Sequence, residues 1–280
     1  MLSLHTNNAA LSAQSSIGRT QGGLSTSMTR LSTGFRINSA SDDAAGLQIA
    51  TRLKAQTSGM AVAMRNTQNA TSMIQTAGGA LAEIKNMLIR MKDLATQGAD
   101  GSSSAADITA LDAEFTDLKA EIANVIKNTT FGGTALLDST ATTKTGFAAA
   151  TVTFQIGATS NEKMDIAIGT KVGEIESLSK ALTMTAAGAA NTAIDAVQTA
   201  IDKVSEVDSA LGGAANRLSH VYNNLSNIST NTKAAIGRIM DTDFATESAN
   251  MTKNQMLTQA GTAMLKQSNQ MSQMVMSLLQ

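Results

Sequence analysis

An apolar stripe of helical period runs without interruption from Ile49 to Ala95, and it constrains the chain more than any other feature. Ile49, Leu53, Met60, Met64, Thr67, Thr71, Ile74, Leu81, Ile84, Leu88, Met91 and Ala95 follow steps of three, four or seven, which put them on one helix face. At 1.5 Å per residue, roughly fifty residues make a helix about 75 Å long, a rod rather than a globule. Pro breaks helix interiors, and the 280 residues contain none, so nothing forces a kink. Gly78-Gly79 is expected to be a local weak point, since each Gly costs roughly 1 kcal/mol against Ala.

The two ends carry narrower stripes. Leu4, Leu11, Ile17, Leu24, Met28, Leu31 and Phe35 draw one along the first forty residues. In the last forty, Leu257, Met264, Met271 and Leu278 recur every seven residues, with Ala260 and Val275 at half-heptad places. A lone amphipathic helix is marginal in water, so these seams are expected to pair with each other or with other copies of the chain.

Between these stripes lie two breaks. Gly34 and residues 38–41 separate the first helix from the second, and Ser41 followed by Asp42 and Asp43 reads as an N-cap with acids in the first turn. Asp241-Thr242-Asp243 interrupts the chain at the mirror position. The pattern therefore predicts a terminal helical pair stacked on a larger rod. Residues 98–104, GADGSSS, end the long helix, and Ile108, Leu111, Phe115, Leu118, Ile122 and Val125 form a third helix over residues 106–128. The short connection makes it antiparallel to the second. Phe131-Gly132-Gly133 ends it.

The period then changes to two. Val152, Phe154 and Ile156 alternate with polar residues, as do Met164, Ile166 and Ile168, which predicts a β-hairpin with its loop from Gly157 to Lys163. It is the one strand signal in the pattern. From Asn191 to Ile239 the helical stripe returns, so a fourth helix is expected to lie beside the second for most of its length. The fold class expected is mainly α: a long antiparallel helical rod or coiled-coil bundle with a small β-hairpin region and paired N- and C-termini.

Composition removes several function classes. A net charge of -1 with 15% charged residues offers no basic face, so no nucleic-acid partner is expected. With no Cys, a disulfide framework and thiolate catalysis are excluded. His5 and His220 stand apart without an HExxH arrangement, so no zinc or nucleophilic site, no cofactor and no enzyme activity are expected. Met256, Met264, Met271, Met274 and Met276 recur at helical spacing and read as adaptable packing residues rather than thioether metal ligands. The Gly pairs at 22–23, 78–79, 132–133 and 212–213 lack a phosphate-loop Lys and a preceding strand. Residues 1–30 lack the form of an ordinary secretory signal, and no run of about 18 apolar residues exists to span a membrane.

Four blocks, LSTGFRINSASDDAAGLQIA (31–50), GGALAEIKNMLIRMKDLATQGAD (78–100), NTTFGGTALLD (128–138) and ATESANMTKNQMLTQAGTAMLKQSNQ (245–270), make the sequence resemble bacterial flagellin. The resemblance covers residues 1 to about 170 and about 190 to 280 in the family's order. It implies a helical inner-core domain of residues 1–42 and 241–280, and a rod-like helical domain with a β-hairpin from residues 43–175 and 176–240. The outer variable domains would be essentially absent, with only residues 170–190 left in their place. Ser272 stands near a place where flagellins commonly have Pro, and Gln280 where they commonly end in Arg. Ser for Pro favours an unkinked last helix.

The function implied is that of a structural subunit polymerising into the flagellar filament, with Leu4, Leu11, Ile17, Leu24, Leu31, Leu257, Met264, Met271 and Leu278 as polymerisation seams. A hook-associated junction protein, which shares such termini, is the alternative. Implied partners are other copies of the chain, a flagellar export chaperone, the type III export apparatus, and the filament cap and hook-associated proteins, outside the cell. The resemblance further implies recognition by Toll-like receptor 5 through Arg90, Leu94 and Glu114, with Lys92 and Asp93 as conservative stand-ins.

Overall fold

The computed structural model describes residues 7–139, 146–184 and 187–277. Among them are six helices: α1 (Asn8–Thr33), α2 (Ala44–Gly98), α3 (Ala105–Asn128), α4 (Gly169–Ala181), α5 (Ala187–Met240) and α6 (Phe244–Ser277). Two small antiparallel ladders join them, β1 (Thr130–Phe131) with β2 (Thr134–Ala135), and β3 (Val152–Gln155) with β4 (Lys163–Ile166). The mainly α architecture predicted from the stripes is the one found. By contacts the chain divides into two compact units, Met1–Gln56 with Thr230–Gln280, and Thr57–Ser229. Both breaks in the stripe fall inside the first unit.

In that first unit, polar side chains set the helix ends. The Asn7 side chain accepts from Ala10 N at 3.1 Å to start α1, and Gly34 ends it with φ 75, a left-handed conformation that suits a residue without Cβ. The expected cap at Ser41 is displaced by two residues. Asp43 caps α2, its Oδ1 accepting from Gly46 N at 2.8 Å, because it directly precedes Ala44 and its carboxylate reaches the free N–H groups. Asp42 instead ties down the preceding loop, accepting from Asn38 N and from the Ser39 N and Oγ, and these bonds hold its carboxyl below the usual range. Asp243 plays the capping part for α6, accepting from Ala245 N and Thr246 N.

In the second unit, α2 and α5 run antiparallel. Met60 and Met64 meet Leu225 and Val221 near one end, and Lys92 Nζ donates to Gln198 Oε1 at 2.6 Å near the other. The helix passes unbroken through Gly78-Gly79, so the expected weak point does not interrupt it. α3 returns antiparallel along α2, as the short turn predicted, with Arg90 reaching Glu114. Its start is a capping box in which Ser104 and Asp107 satisfy each other's backbone. One core runs through α2, α3, α4, α5 and the segments between them, built from Leu81, Ile84, Leu88, Met91, Ile122, Val197 and Leu211 together with Phe115 and Phe147.

Two elements depart from the sequence reading. The first is the β1–β2 ladder, turned by Gly132 and Gly133 with φ 58 and 82, the two positive values that a two-residue hairpin loop requires. The second is α4, which occupies residues expected to be the remnant of an outer domain. Val172, Ile175, Leu182 and Met184 from this stretch are buried in the core. Lys171 pairs with Glu206 at 2.7 Å and Lys203 with Glu174 at 2.8 Å, tying α4 antiparallel to α5.

Glu176 fixes the other side of α4. Its carboxylate accepts from Ser139 N at 3.1 Å, from Ser139 Oγ, and from Lys180 Nζ at 2.8 Å. Burial alone would raise its pKa, but the Lys180 and Ser139 bonds together bring it below the usual range. A depressed carboxyl stabilises the fold above its unfolded pKa, and that contribution disappears as pH falls through the folded value. We therefore expect the protection of α4 amides, measured against their intrinsic exchange rates, to fall below the ordinary Glu pKa, and Glu176→Gln to remove most of this acid dependence. Protection of α4 in wild type that is constant through that window would refute the assignment.

Threonines inside the helices bond back to their own backbone. Thr67 Oγ1 donates to Ala63 O at 2.8 Å, Thr71 to Thr67 O at 2.9 Å, Thr20 to Ser16 O at 2.9 Å and Thr258 to Asn254 O at 2.8 Å.

Candidate functional site

The pairing of α1 with α6 is set by links along its whole length. Asn7 Nδ2 donates to Ser268 O and Oγ at 3.3 and 3.1 Å. Ile17 lies over Gly261, where an added Cβ would come 2.7 Å from Ile17 Cγ1, and Gly23 faces the Asn254 side chain in the same way. Arg30 Nη1 lies 3.7 Å from Glu247 Oε2, a carboxylate buried between the helices. Beyond the helix ends, Phe35 bridges Asp241, Arg36 N donates to Met240 O at 2.6 Å, and Thr242 N donates to Gly34 O at 3.0 Å. As the chain climbs α1 it descends α6, so the pair is antiparallel and holds a single register.

That inner seam mixes small and polar side chains with a few large apolar ones. Ala10, Ala13, Ile17, Thr20, Leu24, Ser27 and Leu31 of α1 are shielded to varying degrees, as are Met251, Asn254, Thr258, Gly261, Leu265 and Ser268 of α6. Both sets alternate steps of three and four. Small residues let the two backbones approach closely, and an Asn, Thr or Ser in the seam fixes register where apolar contacts alone would allow slippage. Buried ion pairs contribute little stability, and the Arg30–Glu247 pair fits the same registry role. Apolar periodicity found Ile17, Leu24 and Leu31 on the α1 side but not the α6 side of this seam; a heptad search that counted Ala, Gly, Ser and Thr as seam residues would have found both.

The predicted seam residues divide between two environments. Ile17, Leu24 and Leu31 are half-buried in the pair. Leu11, Leu257, Met264 and Met271 are exposed, Met264 the most at 67%. Leu4 and Leu278 lie outside the described residues. At 3.6 residues per turn the exposed Met256, Leu257, Met264 and Met271 fall within an arc of about 100°, turned about 120° from the face that meets α1. The heptad stripe of α6 is thus a second face, distinct from the pairing seam.

In the second unit, Arg90 Nε and Nη2 both donate to Glu114 Oε1, at 2.9 and 2.7 Å, and both side chains are about half exposed. Leu94 is 1% exposed and belongs to the core, beside Met91 and Ala95 on the face that α2 turns inward. Lys92 is held by Gln198. Among the described residues no group of three or more His, Asp or Glu side chains is placed to hold a metal ion, and no helix is long and apolar enough to cross a membrane.

Comparison with known proteins matches the chain in two stretches, each of which runs through part of both units. Residues 4–142 match the bacterial flagellin N-terminal helical region, and residues 194–279 match the bacterial flagellin C-terminal helical region. B-type flagellin of Pseudomonas aeruginosa is 39% identical over 167 residues, covering 60% of this chain and 33% of its own length. Flagellin D of Vibrio cholerae is 40% identical over 161 residues, covering 58% of this chain and 41% of its own. The chain thus spans about a third to two fifths of the length of these relatives. A crystal structure of Bacillus cereus flagellin matches with TM-score 0.50 and 38% identity, over 61% of this chain and 94% of that one. A putative flagellar hook-associated protein from Vibrio parahaemolyticus matches with TM-score 0.56 over 71% of this chain and all of its own, but at 15% identity this is likeness of fold alone.

A mainly helical chain whose two ends pair in one register, with a separate helical unit between them, is the class that these features define. The chain belongs to the bacterial flagellin family.

Proposed function

We propose that this chain is a structural subunit that polymerises into the bacterial flagellar filament outside the cell. The observation that carries the reading is the exposed face of α6. Met256, Leu257, Met264, Met271 and Met274 stand in solvent although α6 already has a partner in α1. Contiguous apolar surface of this kind marks an interaction site. A second copy is the fitting occupant, because the same subunit repeated by a non-closing operation builds a helical tube. On this reading Leu11, Leu257, Met264 and Met271 face neighbouring copies.

The same reading brings the partners of a filament subunit: an export chaperone and a type III apparatus before assembly, cap and hook-associated proteins at the ends. Recognition by Toll-like receptor 5 would rest on the exposed Arg90 and Glu114 rather than on Leu94. The test is negative-stain electron microscopy of the full chain after seeding, beside a chain lacking residues 241–280. Long tubes are expected from the first and none from the second. Tubes from the truncated chain, or a full chain that stays monomeric under every seeding condition, would remove the support for this reading.

A further inference from the structure

Five of the exposed large apolar side chains in the first compact unit are methionines: Met28 on α1 and Met256, Met264, Met271 and Met274 on α6, each more than half exposed. The second unit treats methionine differently. Met60, Met91, Met164 and Met184 are all 3% exposed or less, and none of its methionines is among the exposed apolar residues. The methionines that stand in solvent are therefore confined to the first unit, while the second unit's are buried or partly buried.

On α6 four of the methionines share one side. Counted at 3.6 residues per turn, Met256, Met264, Met271 and Met274 lie within about 80° of one another, away from the α1 seam. A Leu or Ile at these places would give the same apolar contact without a reactive atom, as Leu257 does on the same face.

We propose that the methionine face of α6 is an oxidation site that controls assembly, modified in the free chain by peroxide-class oxidants and shielded once another copy covers it. The inference rests on the filament reading. In the reaction the thioether sulfur attacks the peroxide O–O bond, one oxygen becomes the sulfoxide oxygen, and the other leaves as hydroxide and takes a proton to become water. Sulfur loses two electrons and the peroxide gains them. The product replaces a flexible apolar side chain with a polar, chiral one. A sulfoxide resists burial unless a donor meets it, so a face carrying several no longer suits a dry contact. The buried methionines of the second unit, out of reach of solvent, keep that unit folded while the first loses its contact face.

The experiment uses the full chain, hydrogen peroxide in graded amounts, peptide mass spectrometry to place the sulfoxides, and elongation of preformed seeds. Met28, Met256, Met264, Met271 and Met274 should oxidise well before Met60, Met91, Met164 and Met184. The critical concentration for elongation should rise by about tenfold or more, with helical circular dichroism retained. Methionine sulfoxide reductase with a dithiol should restore elongation. Replacing Met256, Met264, Met271 and Met274 by Leu should give a chain that elongates before and after peroxide. Replacing them by Gln should block elongation without any oxidant. Equal oxidation of buried and exposed methionines, or elongation by the sulfoxide form at the untreated concentration, would overturn the proposal. An untreated chain that fails to elongate overturns the filament reading itself, and this inference with it.

Discussion

Phe115→Ala should lower the stability of the second unit by about 3–5 kcal/mol, the range for removing a buried aromatic ring. Phe115 is 1% exposed on α3, and the chain has only six Phe, one Tyr and no Trp to fill its core. Most of that core is made of Leu, Ile, Val, Met and Ala from helices that cannot slide inward without breaking their packing, so the space left by the ring stays largely open. Denaturant titration followed by circular dichroism measures the effect. Phe115→Leu should lose less than about 1.5 kcal/mol, because the volume is nearly kept. A loss below about 1 kcal/mol for the Ala variant would mean that α3 relaxes into the gap, contrary to the rigid packing described.

Gly169→Ala is the second large expected effect, and it works by addition rather than removal. A Cβ at the first residue of α4 would come 1.9 Å from the Ala149 carbonyl oxygen and 2.5 Å from its carbon, both backbone atoms that have no rotamer to retreat into. The start of α4 must move, taking Val172 and Ile175 with it, so a loss at or above the usual range of about 1–3 kcal/mol for overpacking is expected. The Lys171–Glu206 and Lys203–Glu174 pairs are exposed enough that they should not hold α4 in place alone. Exchange measured by mass spectrometry should show the loss concentrated in residues 169–181. Uniform loosening of α2 and α5 with α4 unaffected would argue against α4 as the point of strain.

These two sites show what could and could not be seen in the sequence. Phe115 lies on a stripe of period 3.6 that is long enough to reveal both its helix and its burial. Long stripes in α2 and α5 were legible for the same reason, since a dozen apolar residues in step leave no other structure consistent with them. Gly169 gives no such signal. α4 is short, and its inner face mixes Val172 and Ile175 with Glu176 and Ser179, so it has no apolar stripe to detect. The β1–β2 ladder has two residues in each strand, too few for alternation to register.

At the candidate site the difficulty was of another kind. The heptad of Leu257, Met264 and Met271 was visible, but a period says that residues share a face and not what the face meets. The partner of α1 turned out to be a row beside that heptad in which Asn254, Thr258, Gly261 and Ser268 outnumber Met251 and Leu265, so hydropathy gives it little weight. Leu94 is buried, and a resemblance carries over a position without its accessibility.

The threonines that bond to the carbonyl one turn back bear on the enthalpy of association. Thr20, Thr26, Thr29 and Thr33 do this on α1 and Thr252 and Thr258 on α6, so these hydroxyl protons already have acceptors within the helix. Water need not be stripped from those donors when another surface arrives, and what the incoming surface meets includes the threonine methyl group. A helix can in this way be polar enough in composition to remain dissolved and yet require little dehydration to become dry.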